Sequence, residues 1–267
     1  MHALYRVLLL FHVAAGFTGL VAFWIPVFAP KGGRVHIRAG TVFMICAYVV
    51  AGTALAIALL TLASPFGTHP EARPDDPARM GAALAQLRFL EAFLGYLAIV
   101  TFATVWHGVR VMRSRRERTP IRTPLHTAVG LVAILAGAGV LVMGLTLDQE
   151  ARWILLALSP IGFILGSGML RYARDERKER MAYWYEHLGS MLGGGIAFHT
   201  AFAVFGIQRF VEYDLSGIVG LLPWILPTVV GTIAITIWTR HYRKKFGDLA
   251  REDATPVEPG QADRSAR

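Results

Sequence analysis

The sequence predicts an all-α fold: a polytopic membrane helix bundle with seven transmembrane helices, the N-terminus outside and the C-terminus inside. Three observations predict it. The 267-residue chain is 54% hydrophobic and only 17% charged, against about 25% charged residues in an average soluble protein. Asp, Glu, Lys and Arg are missing from seven stretches, at 7–30, 39–70, 92–109, 123–147, 153–170, 188–208 and 215–239. Each exceeds the lower limit of about 17 residues for a spanning helix. The basic residues, finally, collect in alternate connections.

Lipid offers the backbone no hydrogen-bond partner, so each apolar stretch must satisfy its own amides as a helix. The spacing places helices near 4–29, 38–63, 82–112, 124–147, 152–171, 182–209 and 216–240. The first is a retained helix rather than a signal peptide, because its apolar run outlasts the roughly 7–15 residues of a signal core. Gly32 and Gly33 permit a tight turn before the second helix. The 64–80 connection, rich in proline and charge, reads as irregular. Pro223 and Pro227 predict a kink in the last helix. Residues 1–245 form one transmembrane domain, and the polar segment 246–267 reads as a disordered cytoplasmic tail.

Orientation follows from charge. Lys31, Arg34 and Arg38 precede or open the second helix. Six arginines lie in 110–122 and five basic residues in 171–180, and Arg240, Arg243, Lys244 and Lys245 end the last helix. The other connections carry Glu71, Asp75, Asp76, Asp148, Glu150, Glu212 and Asp214. Basic connections stay cytoplasmic, which fixes the topology. The formal net charge of +9 is therefore topological: its partner is the lipid bilayer, with anionic headgroups at the basic face, and not nucleic acid. Cys46 is the sole cysteine, so no intrachain disulfide forms and the residue reads as a small apolar packing side chain.

Glycine marks close helix contacts, because in lipid helices associate through small residues. Gly130, Gly137 and Gly144 recur every seven positions, and Gly162 with Gly166 and Gly189 with Gly193 follow the same logic. These faces read as intramolecular contacts. A structural or assembly role would need them turned to lipid.

Two sets of residues are candidates for chemistry. Arg88 and Glu91 lie three apart on one face of the third helix, and an ionised side chain there must pair or face the interior. With Tyr96 they form a candidate polar core for a transporter or small-molecule binding protein. The histidines form the second set. His12 and His199 lie about 12 and 15 Å below the outer ends of their helices, and His107 and His187 about 7 Å from the inner ends. Two histidine layers suit b-type haem, whose iron takes axial imidazoles from facing helices, and would imply a quinone or redox partner. His187 and His199, twelve residues apart, do not share a face of a straight helix; Gly193–Gly195 would have to distort it or open room for the macrocycle. His36 reads either as part of the helix-hairpin turn or as a contact to a lipid or quinone headgroup. No Walker loop, dinucleotide fingerprint, HExxH, zinc spacing or G-x-S-x-G is present, so no reaction is assigned.

The segments KGGRVHIRAGTVF (31–43) and HLGSMLGGGIAFHTAF (187–202), with His12 upstream, resemble a family of uncharacterised bacterial multi-pass membrane proteins carrying a domain of unknown function. The resemblance rests on His12, His36 and His187. It implies a bacterial cytoplasmic-membrane protein and brings no reaction with it.

Overall fold

The computed structural model describes residues 1–117, 119–146, 152–175, 179–206 and 219–248. Among them, eight α-helices account for nearly all of the regular structure: α1 (His2–Phe28), α2 (Arg34–Ala63), α3 (Pro65–Thr68), α4 (Met80–Glu117), α5 (Pro124–Thr146), α6 (Arg152–Arg174), α7 (Ala182–Ala201) and α8 (Leu222–Phe246). All but the four-residue α3 are long and apolar enough to cross a bilayer. The chain is an integral, multi-pass membrane protein. The alternating helices bring the basic connections to one end of the bundle, the basic end, and the N-terminus to the other.

The α-helix expected over 182–209 ends at Ala201 and passes into a π-helical turn, Phe202–Gly206, and the last helix begins at Leu222, while three other ends differ from the expectation in one way. α4 runs to Glu117, α6 to Arg174 and α8 to Phe246, each beyond the apolar stretch that defined it. Arginine and lysine are good helix formers, and cations in a last turn suit the helix dipole. The helices therefore continue into the water, where hydropathy stops reporting them. α8 ends with Gly247 at φ +74°, the left-handed cap that glycine adopts without cost. Beyond it Asp248 accepts a hydrogen bond from the Tyr185 hydroxyl at 2.6 Å, so 246–248 are docked on α7; the rest of the expected tail lies outside the described residues. The 64–80 connection is more regular than expected, with α3 and two short 3-10 turns, Pro70–Ala72 and Pro77–Arg79. It is tied to the start of α1, where His2 Nδ1 donates to the Thr68 carbonyl at 2.8 Å.

The α1–α2 hairpin shows how local sequence fixes a turn. Gly32 takes φ +76°, as the Gly-Gly pair predicts. Pro30 has no N–H, so the carbonyl of Pro26 four residues earlier loses its helical partner. Lys31 Nζ donates to that carbonyl at 3.0 Å and to Val27 O at 2.6 Å, and His36 Nδ1 donates to it at 3.1 Å. Partial burial holds the Lys31 ammonium below the usual lysine range.

α4 is the central helix, packed against α2, α5, α6 and α7. α5 and α6 form a close hairpin. A Cβ on Gly137 would stand 3.0 Å from Ser159 O, and one on Gly162 would stand 2.5 Å from Ala133 O. The glycine stripe is occupied inside the bundle, and the lipid-facing surface that an assembly role required of it is not there. On α7, Gly194 and Gly195 receive the Val105 side chain and the Phe23 ring. The room beside His199 is filled by aromatic packing among Phe23, Phe43 and Phe198, not left open for a macrocycle.

Tyr96 joins α4 to α6. Pro160 interrupts the α6 ladder, and at the rung two residues on the Tyr96 hydroxyl donates to Leu158 O at 2.7 Å and accepts from Gly162 N at 3.0 Å. The hydroxyl thus bridges a backbone donor and acceptor deep in the bundle. Tyr96→Phe leaves both without it, at a cost of about 1–3 kcal/mol, which thermal unfolding of the detergent-solubilised protein should report as a lower Tm.

A histidine cluster at the basic end

His107 on α4 and His126 on α5 are almost completely buried, at 2% and 0% exposure. Their ring centroids are 5.3 Å apart. His107 Nε2 lies 3.1 Å from Glu186 Oε2 on α7. A carboxylate only accepts, so Nε2 carries the proton in that bond. His126 Nε2 lies 3.4 Å from Met169 O. The Nδ1 atom of each ring is buried without a hydrogen-bond partner. Around the pair stand Trp106, 5.3 Å from His126, and Tyr172, edge-on to His107 at 5.6 Å.

Glu186 connects this pair to the outside. Its side chain is 41% exposed and lines a cavity of about 330 Å³ whose wall also holds Arg171, Tyr172, Glu179, Tyr185 and Arg243. Arg243 is bound to Glu179 at 2.8 Å and lies over the Tyr185 ring. The cavity therefore presents both signs of charge and two phenols, and one of its carboxylates leads inward to two imidazoles. Among the described residues no group of three His, Cys, Asp or Glu side chains is arranged to hold a metal ion.

His107 is the one sequence candidate in this cluster; the others fall elsewhere. His199 donates from Nδ1 to Gly195 O at 2.7 Å and accepts at Nε2 from Trp24 Nε1 at 3.1 Å. Both ring nitrogens are committed, leaving no lone pair for iron. His12 is twelve residues from Trp24 along α1, about 18 Å, and bonds to Val50 O on α2 at 3.1 Å. His12 and His199 therefore do not face each other. His187 donates to Gly108 O at 3.0 Å, on the α2 side of the α4–α7 contact and within electrostatic range of His36. His107 points to the other side, towards α5 and α6. His12 and His199 are apart, and His107 and His187 are engaged with Glu186 and with Gly108 O respectively rather than with each other. The depths were compatible, but neighbouring helical residues turn about 100° apart, and azimuth separates what depth aligned. His36 itself serves the Pro26 carbonyl of the hairpin.

Arg88 and Glu91 also part company. Arg88 is exposed while Glu91 is 5% exposed, and no ion pair joins them among the described residues. The long arginine stem can carry its charge out to water; the shorter glutamate cannot. Tyr96 belongs to the α6 contact, not to a shared polar core with them.

No family model matches the chain, and comparisons with curated proteins and with solved structures gave no match. The site must therefore be read from its own geometry. The sequence pattern singles out none of His126, Glu186 and Tyr172 as functional. One signal is present: Glu186 directly precedes His187 inside the predicted helix 182–209, although by charge alone it only bounds the apolar stretch that follows.

Proposed function

We propose that the protein is a proton-linked carrier of a small polar molecule, loaded from the cavity at its basic end. The observation that carries this reading is the Glu186–His107–His126 line, which runs from a half-exposed carboxylate to two buried imidazoles. Histidine is the side chain whose ordinary pKa lies nearest physiological pH. Ionisable groups inside membranes are costly and commonly serve proton and substrate paths. Leaving two imidazole nitrogens buried and unpaired costs stability, which a purely structural role does not recover. The basic end faces the cytoplasm in this reading. The resemblance of the His12, His36 and His187 segments to bacterial multi-pass proteins supports a bacterial cytoplasmic membrane.

Charge displacement after a pH jump tests the proposal without knowledge of the solute. Purified full-length protein in liposomes on a solid-supported membrane should give a transient current when the solution is acidified. His107→Asn should reduce that current to the level of protein-free liposomes, and Glu186→Gln should remove most of it. Currents unchanged by both substitutions, or absent from the wild type, would overturn the reading.

A further inference from the structure

Glu91 is a charged-type residue that the histidine cluster does not use. It lies sixteen residues from His107 on α4, about 24 Å towards the N-terminal end. Its Oε2 is buried without a hydrogen-bond partner, and so is Thr61 Oγ1 on α2, a residue with 0% exposure. The packing sets these two helices face to face. A Cβ on Gly95 would stand 3.3 Å from the Ala58 Cβ, and Tyr48 meets Phe102 at 5.6 Å between centroids. Because α2 and α4 run in opposite directions, one helical turn from the Ala58–Gly95 contact brings Thr61 opposite Glu91.

Among the described residues no ion pair reaches the Glu91 carboxylate. α2 has no Asp, Glu, Lys or Arg between Arg38 and Ala63, and the apolar part of α4 has only Arg88 besides Glu91. Arg88 is exposed. At that end of the bundle His2 and His69 are engaged with Thr68, and Arg79 with Asp76. A bare carboxylate in this setting would cost several kcal/mol, and the simplest relief is a proton. The unpartnered Oε2 is the atom it would sit on.

We propose that Glu91, with Thr61 opposite, is a second proton-binding site, at the other end of α4 from the histidine cluster. The carboxylate takes one proton from hydronium, forming a neutral carboxylic acid and water, and Thr61 supplies the polar neighbour to that acid. The inference deepens the carrier reading by naming a second stop for the proton, yet it stands on different residues and a different observable.

Infrared spectroscopy of the full-length protein in lipid nanodiscs tests it. The wild type at neutral pH should show a carbonyl stretch of a protonated carboxyl group in apolar surroundings, shifted in D2O. The band should disappear in Glu91→Gln and persist in Glu186→Gln. Thr61→Val should move it to higher frequency, as a carbonyl that loses a polar neighbour does. No such band in the wild type, or a band that survives Glu91→Gln, would overturn the proposal, and a band indifferent to Thr61→Val would remove Thr61 from it. Loss of the pH-jump current with this band intact would separate failure of the carrier reading from failure of this one.

Discussion

Gly166→Ala should destabilise the bundle markedly, while Gly139→Ala on the neighbouring helix should leave it unchanged or more stable. The substitution is the same and the sign is opposite. Alanine is the better helix former by about 1 kcal/mol, and at Gly139 nothing lies within 4 Å of the added methyl, so the gain is available. At Gly166 the methyl would meet the Gly130 carbonyl oxygen, and Ile134 N at 3.2 Å. Those are backbone atoms of α5, which cannot rotate away as a side chain can. α5 and α6 would have to separate along their whole contact, losing the van der Waals packing that holds helices together in lipid. Overpacking commonly costs about 1–3 kcal/mol, and the rigid neighbour places this case at the upper end. Melting temperatures of the detergent-solubilised variants, measured side by side with Gly168→Ala as a second open site, check the prediction.

His126→Phe should separate stability from activity. Phenylalanine preserves a planar ring in the space between Trp106 and His107. It removes a buried Nδ1 that has no partner and a long, 3.4 Å contact to Met169 O. Removing an unsatisfied buried polar atom should gain about 1 kcal/mol, offset by the carbonyl it leaves. The variant should therefore melt no lower than the wild type. The pH-jump current should nevertheless fall, because the second imidazole of the line is gone. A variant that keeps its full current shows that His126 only fills space. One that loses current and stability together shows that its ring is needed for packing.

How much of this was legible in the residues depends on the kind of information each feature carries. The spans were legible because an apolar run of helical length admits one solution in lipid. The Gly32 turn was legible because it is local, and the α5–α6 contact because glycines spaced by seven residues share a helix face. The haem pairs were drawn from depth alone. Depth along a helix follows from counting residues, but the direction of a side chain around the bundle depends on which neighbours each helix has. That is why His199 stands beside Trp24, not beside His12. It is also why Arg88 and Glu91, three residues apart, divide into a side chain that reaches water and one that does not. Glu186 was passed over for a related reason: at the level of hydropathy it marks the end of an apolar stretch, and only its contact with His107 makes it part of a site.

The residues by themselves determined that this chain crosses a membrane seven times and that its basic connections share one end, because hydrophobic length and charge act on each segment separately. The tertiary structure alone decided which polar groups meet. It joined His107, His126 and Glu186 from three helices, and it buried Glu91 while leaving its neighbour Arg88 exposed. Contacts of that kind depend on helix order and rotation, which are set by the packing of every helix against the others and are written in no single stretch of the chain.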